Sequence, residues 1–147
     1  MRSSHLKKNQ RGAALVEFAI AATIFLTAVF AVLEFGRALW IHNALVDATR
    51  RGARYAVTQG QGASAAIQNV TVYGNPDGTG TPLIDGLTTT QVNVRHSDYQ
   101  LGSGSVTVKI EAYDFNFVLP FLGTAIRMPE CQTSLPSESA GLIPASI

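Results

Sequence analysis

The chain has 147 residues, enough for one domain or for one small domain with an appendage. It is 46% hydrophobic and only 14% charged, against about 25% charged in an average soluble domain, so part of it is composed to stay out of water. A formal net charge of +1 speaks against nucleic acid as a partner, and a single cysteine, Cys131, excludes an internal disulfide framework.

Residues 1–12 carry Arg2, Lys7, Lys8 and Arg11 and no acid. Over residues 13–33 the only charge is Glu17. About 20 such residues cross the roughly 30 Å hydrocarbon core as a helix, so residues 13–34 are expected to span a membrane. In the fifteen residues that follow, Arg37 is the only Lys or Arg. The basic end is therefore expected in the cytoplasm and the C-terminal part outside. A cleavable secretory signal has an apolar core of about 7–15 residues that ends at a small-residue cleavage site. This run is longer and passes into a helical pattern without a turn residue, so it is expected to stay on the protein.

A carboxylate in the apolar part of a bilayer is costly, and the short stem of Glu17 reaches poorly toward water. Such an acid usually marks a partner. If the chain were cut between Gly12 and Ala13, Ala13 would carry a new α-ammonium and Glu17 would be fifth from that end. A neighbouring subunit shifted along the helix axis could then set its ammonium against this carboxylate.

Residues 35–58 continue the helix with amphipathic spacing. At 100° per residue, Phe35, Ala38, Leu39, Leu45, Val46, Thr49, Ala53 and Ala56 share one face, and Arg37, Asn43, Asp47, Arg50, Arg51 and Arg54 the other. Glu34 and Arg37, three apart, end the buried zone, and Trp40 falls near the expected membrane–water interface. The arginines read either as a solvated face or as a contact to acidic lipid headgroups or an acidic partner. Gly60 and Gly62 fit a helix stop.

Residues 59–147 are expected to form a small β-rich extracytoplasmic domain. "NVTVYG" (69–74), "TQVNVRHS" (90–97) and "SVTVKIEAYDF" (105–115) alternate as half-buried strands do, and a further strand is expected near 124–133. "YGNPDGTGTPLIDG" (73–86) is dense in turn dipeptides, and "FNFVLPFLG" (115–123) reads as a loop packed on the sheet or as an exposed patch. A sheet with one apolar face needs a cover, which helix 35–57 can supply. The fold class is α+β, with one long N-terminal helix on a small antiparallel sheet.

Site chemistry is thin, and neither an enzyme nor a cofactor is expected. His5, His42 and His96 lack metal-ligand spacing, and adjacent His96, Ser97 and Asp98 would alternate across a strand rather than converge as a triad. Asn75, Asp77 and Asp85 do not follow a calcium-loop pattern and fit a turn.

The blocks "RGAALVEFAI" (11–20), "LEFGRALW" (33–40) and "DATRRGARYAV" (47–57), in that order, resemble the TadE-like family of pseudopilins of the tight-adherence (Tad) pilus. The resemblance implies a pilin-like fold and an inner-membrane minor pilin cut after Gly12 by a prepilin peptidase, with Glu17 and Phe18 as assembly residues. It also implies the major pilin, other pseudopilins, the inner-membrane assembly platform and membrane lipid as partners, with Glu34, Arg37, Arg50, Arg51 and Arg54 as contact residues. "RMPECQTSLPSES" (127–139) departs from the family in the prolines that interrupt its small polar residues. The competing reading is a single-span protein whose outer domain binds a ligand or partner without polymerising.

Overall fold

The computed structural model describes residues 5–59, 61–97, 104–118 and 125–136, with side chains from Gly12 onward, Gln61 excepted. One helix, α1 (His5–Val57), runs unbroken through 53 residues. No proline interrupts it, and the small and apolar residues at 41, 45, 48, 49, 52, 53 and 56 recur three and four apart, as one buried helix face requires. Only this outer half is packed. Its cover is a three-stranded antiparallel sheet of β1 (Val92–Ser97), β2 (Ser105–Ile110) and β5 (Cys131–Pro136), in the order β1-β2-β5. In β2, Val106, Val108 and Ile110 alternate inward and meet Leu45, Ile67, Leu87, Tyr113 and Phe115 in one core. The fold is α+β, as the pattern implies.

Strand β5 lies along α1. Thr133 Oγ1 is 2.9 Å from Thr49 Oγ1, and Cys131 Sγ is 3.8 Å from His42 Nδ1. The pairings Val92↔Ile110 and Ile110↔Cys131 place that end of the sheet beside residue 42 of the helix.

Three expectations are corrected. "NVTVYG" is not a strand but the end of helix α2 (Ser64–Tyr73). Ile67, Val70 and Thr71 fall at i, i+3 and i+4 and are buried together with Val72, so the β-branched run records burial rather than an extended backbone. Thr71 Oγ1 donates to the Ile67 carbonyl at 2.8 Å, and Gly74, at φ 80°, closes the helix in the left-handed region open to glycine.

The second correction is that residues 105–115 are not one strand. The chain bends after Ile110 through Ala112, whose φ is 57°, and resumes as β3 (Asp114–Asn116), paired with β4 (Ala125–Arg127). The bend is held by Gln91, whose carbonyl accepts the Glu111 N–H at 2.9 Å and whose Nε2 donates to the Ala112 carbonyl at 3.0 Å.

Third, the strand expected near 124–133 is two, β4 and β5. Pro129 sits between them, and Pro136 ends β5, an edge strand, where a missing N–H is tolerated. Helix α1 stops at Val57, ahead of the glycines; Gly60 lies outside the described residues, and Gly62 sits in a 3₁₀ turn, Gln61–Ala63.

Candidate functional site

Among the described residues nothing packs against the inner half of α1. It belongs to the one described helix long and apolar enough to cross a membrane, Gly12–Val57, and its most apolar window has no buried part. Leu15, Val16, Phe18, Ile20, Ile24, Phe25 and Phe30 stand exposed around the helix. The hydroxyls here are satisfied internally, Thr23 Oγ1 donating to the Ala19 carbonyl and Thr27 Oγ1 to the Thr23 carbonyl, both at 2.8 Å. That pattern suits a solvent without hydrogen-bond partners.

Gly12 and Ala13 lie within α1, so the bond between them is helical here rather than extended. Glycine is a weak point in a helix, by about 0.5–1 kcal/mol relative to alanine, so opening at Gly12 costs less than an alanine there would. Glu17 and Phe18 are exposed, and among the described side chains no cation pairs with Glu17.

At the outer end of the bare stretch the helix is clamped to the chain's own domain. Glu34 is only 7% exposed, and its Oε2 pairs with Arg37 Nη2 at 2.8 Å. Its other oxygen accepts the Val118 N–H at 3.3 Å. Arg37 Nη2 also donates to the Asn116 carbonyl, and its guanidinium lies 4.4 Å over the ring of Phe115, itself edge-on to Phe117 at 5.2 Å between centroids. Glu34 and Arg37 are thus spent on internal contacts. The sequence signals their pairing at i,i+3 but not the strand they hold, which is about eighty residues away.

The other arginines divide. Arg50 pairs loosely with Asp47 at 3.4 Å, and both are exposed. Arg54 is exposed. Arg51 turns inward and donates to the carbonyls of Val70 at 3.2 Å and Thr71 at 3.4 Å, tying α1 to α2. Asp47, Arg50, Arg51 and Arg54 line a shallow hollow on the helix. Gly52 marks a close approach that sequence reading missed: a Cβ there would overlap Thr71 Oγ1 and come within 3.3 Å of Val108 Cγ1.

Burial pushes the Cys131 thiol up, so it stays protonated against the helix. Burial and, less strongly, Asp85 raise Tyr113, whose hydroxyl donates to the Asp85 carbonyl at 2.7 Å. Lys109 is raised by hydrogen bonds to Glu130 and Glu111. Among the described residues no three His, Cys, Asp or Glu side chains gather to hold a metal. Asn75 bonds both the N–H and the carbonyl of Thr79, as a turn does. His96 and Ser97 lie on β1, and Asp98 is outside the described residues.

No curated protein and no solved structure matches the chain. A family model described as TadE-like protein matches residues 12–54, which confines the match to α1 and leaves the sheet domain unassigned. The match runs from the glycine before the apolar run to the last arginine of the amphipathic half, over the same residues that carry the sequence blocks resembling that family.

Proposed function

We propose that this protein is a pseudopilin or minor pilin of a Tad-type pilus. Residues 1–12 are its leader, residues 13–34 its inner-membrane anchor, and the domain beyond faces the periplasm, from which the subunit can enter a surface pilus. One observation carries the reading: the family match coincides with a helix that is packed in its outer half and bare in its inner half. A bare apolar helix can exchange lipid for neighbouring subunits without refolding the domain. A prepilin peptidase would cut after Gly12, and Glu17 would then pair with the Ala13 ammonium of a neighbour, with Phe18 beside it. The other partners on this reading are the major pilin, other pseudopilins and the assembly platform. No catalytic or cofactor role is proposed.

The reading also sorts the arginines. Arg50 is sixteen residues beyond Glu34, about 24 Å along the axis at 1.5 Å per residue. The headgroup layer on each side of the core is only about 5–8 Å deep. Arg50 and Arg54 therefore suit an acidic protein partner better than lipid.

N-terminal sequencing of the native protein tests the processing step, with Ala13 expected as the first residue. A chain starting at Met1 or beyond Leu33 overturns the proposal. Glu17→Val should leave cutting and membrane residence intact and abolish pilus promotion, read by pull-down of pilus partners and counts of surface pili. Wild-type piliation in that variant would remove the assembly role of Glu17.

A further inference from the structure

The hairpin of β3 and β4 is a second apolar element placed at the outer end of the bare helix. As its numbering rises it approaches the bare half of α1: Asn116 is bonded to Arg37, and Val118, two residues on, to Glu34. Its charges are confined to its base, where Arg127 Nε meets Asp114 Oδ1 at 3.3 Å. In sequence no charged residue lies between Asp114 and Arg127. Val118 is 72% exposed, and Ile126 is also exposed. At the same level of α1, Leu33, Phe35, Leu39 and Trp40 are exposed, the indole at 70%. The helix and the hairpin thus present one apolar zone, and the one acid within it, Glu34, is neutralised by Arg37 and bonded to the hairpin backbone.

We infer that the β3/β4 hairpin is a membrane-surface contact that seats Val118 in the interfacial layer of the bilayer beside Glu34, with the paired Asp114 and Arg127 facing water. The inference rests on the reading of α1 as membrane-spanning. Continuity with the bare helix selects lipid as the occupant: a helix leaving the bilayer at Glu34 carries the hairpin to the depth at which interfacial apolar faces settle, about 5–10 Å into the headgroup and acyl boundary. Trp40, six residues and about 9 Å further out, lies at the outer edge of the headgroup layer. The hairpin fixes how far the domain stands from the membrane and which of its sides faces down.

Trp40 is the only tryptophan, which makes the chain suited to depth measurement. The full protein is reconstituted in vesicles of phosphatidylethanolamine and phosphatidylglycerol whose acyl chains are brominated both near the carboxyl end and toward the methyl end, so that the interface and the middle of the core each carry a quencher. Emission is read from the wild type and from three Trp40→Phe variants carrying a single new tryptophan: Val118→Trp at the hairpin, Phe25→Trp in the span and Ala65→Trp on α2. Position 118 is open, so the larger ring has room. The Phe25 and Val118 probes should be strongly quenched and the Ala65 probe several-fold less so. If the Phe25 probe is quenched while the Val118 probe behaves like the Ala65 probe, the hairpin contact is overturned and the spanning helix stands. An unquenched Phe25 probe overturns both. If the Val118 emission is unquenched but shifts to the blue as protein is added per lipid, a second copy covers the hairpin, and lipid contact is overturned.

Discussion

Glu34 and Arg37 share one helix face, and their 2.8 Å ion pair holds not the helix but the start of a hairpin about eighty residues on. Removing one partner strands the other. Arg37→Met should cost about 1–3 kcal/mol, below the full penalty for a buried pair because Arg37 is partly exposed. Glu34→Gln keeps an acceptor for the Val118 N–H and should cost less, about 1 kcal/mol. The double change Glu34→Gln/Arg37→Met should be less damaging than the sum of its parts, since neither charge is then left alone. Denaturant unfolding of the four proteins in one detergent measures this. Additive costs would show that the pair is not a unit.

Gly52 sits where α1 meets both α2 and the sheet, against Thr71 and Val108. Gly52→Ala improves helix propensity but forces a methyl into Thr71, which is fully buried and bonded to Ile67. Overpacking of this kind typically costs about 1–3 kcal/mol, so the melting temperature should fall. Thr71→Ala removes the obstructing atoms, and adding it should recover part of the loss. An unchanged melting temperature in Gly52→Ala would mean that the helices part there without cost.

Ala112 turns the chain from β2 into β3 with a left-handed φ of 57°. For a residue with a Cβ this conformation costs about 1–2 kcal/mol, and the greater freedom of unfolded glycine offsets part of the gain from relief. Ala112→Gly should stabilise the domain by about 0.5–1 kcal/mol, and Ala112→Val should destabilise it. A lower melting temperature in the glycine variant would contradict the strain.

Tyr113 makes stability fall at high pH. Burial, aided by Asp85, raises its folded pKa above the unfolded value of about 10. A raised pKa means that the folded state holds the proton more tightly. The stabilisation is therefore complete below about pH 10 and is lost as pH rises from there through the folded pKa. Tyr113→Phe forfeits the hydrogen bond to Asp85, about 0.5–1.5 kcal/mol near neutrality, but has no phenol to ionise. The gap between wild type and variant should hold constant up to about pH 10 and narrow above it, as read from denaturation midpoints. Lys109, also raised, titrates in both proteins and cancels in the difference.

The long helix, its bare half and strands β1 and β2 were legible because each rests on a local period. Helix α2 was not: Val70, Thr71 and Val72 have the β-branched composition of a strand, and it is their burial with Ile67, with Thr71 set against Gly52, that accompanies the helix. The inward turn of Arg51 follows from the same contact. On a helical wheel it belongs with Arg50 and Arg54, and the carbonyls it reaches exist as acceptors only once α2 is in place. Phe115 gave no signal as the seat of Arg37, because nothing local links residues 37 and 115.

The unbroken course of α1 has a mechanical consequence. The bare half and the packed half belong to one continuous helix without proline, and β5 lies along it with Thr133 bonded to Thr49. No break in the helix separates the two halves, so bending between them would have to deform the helix itself. A thrust or twist applied to the inner half is delivered to the sheet as a rigid displacement, and each turn of helix drawn outward lifts the whole domain by one pitch, about 5.4 Å.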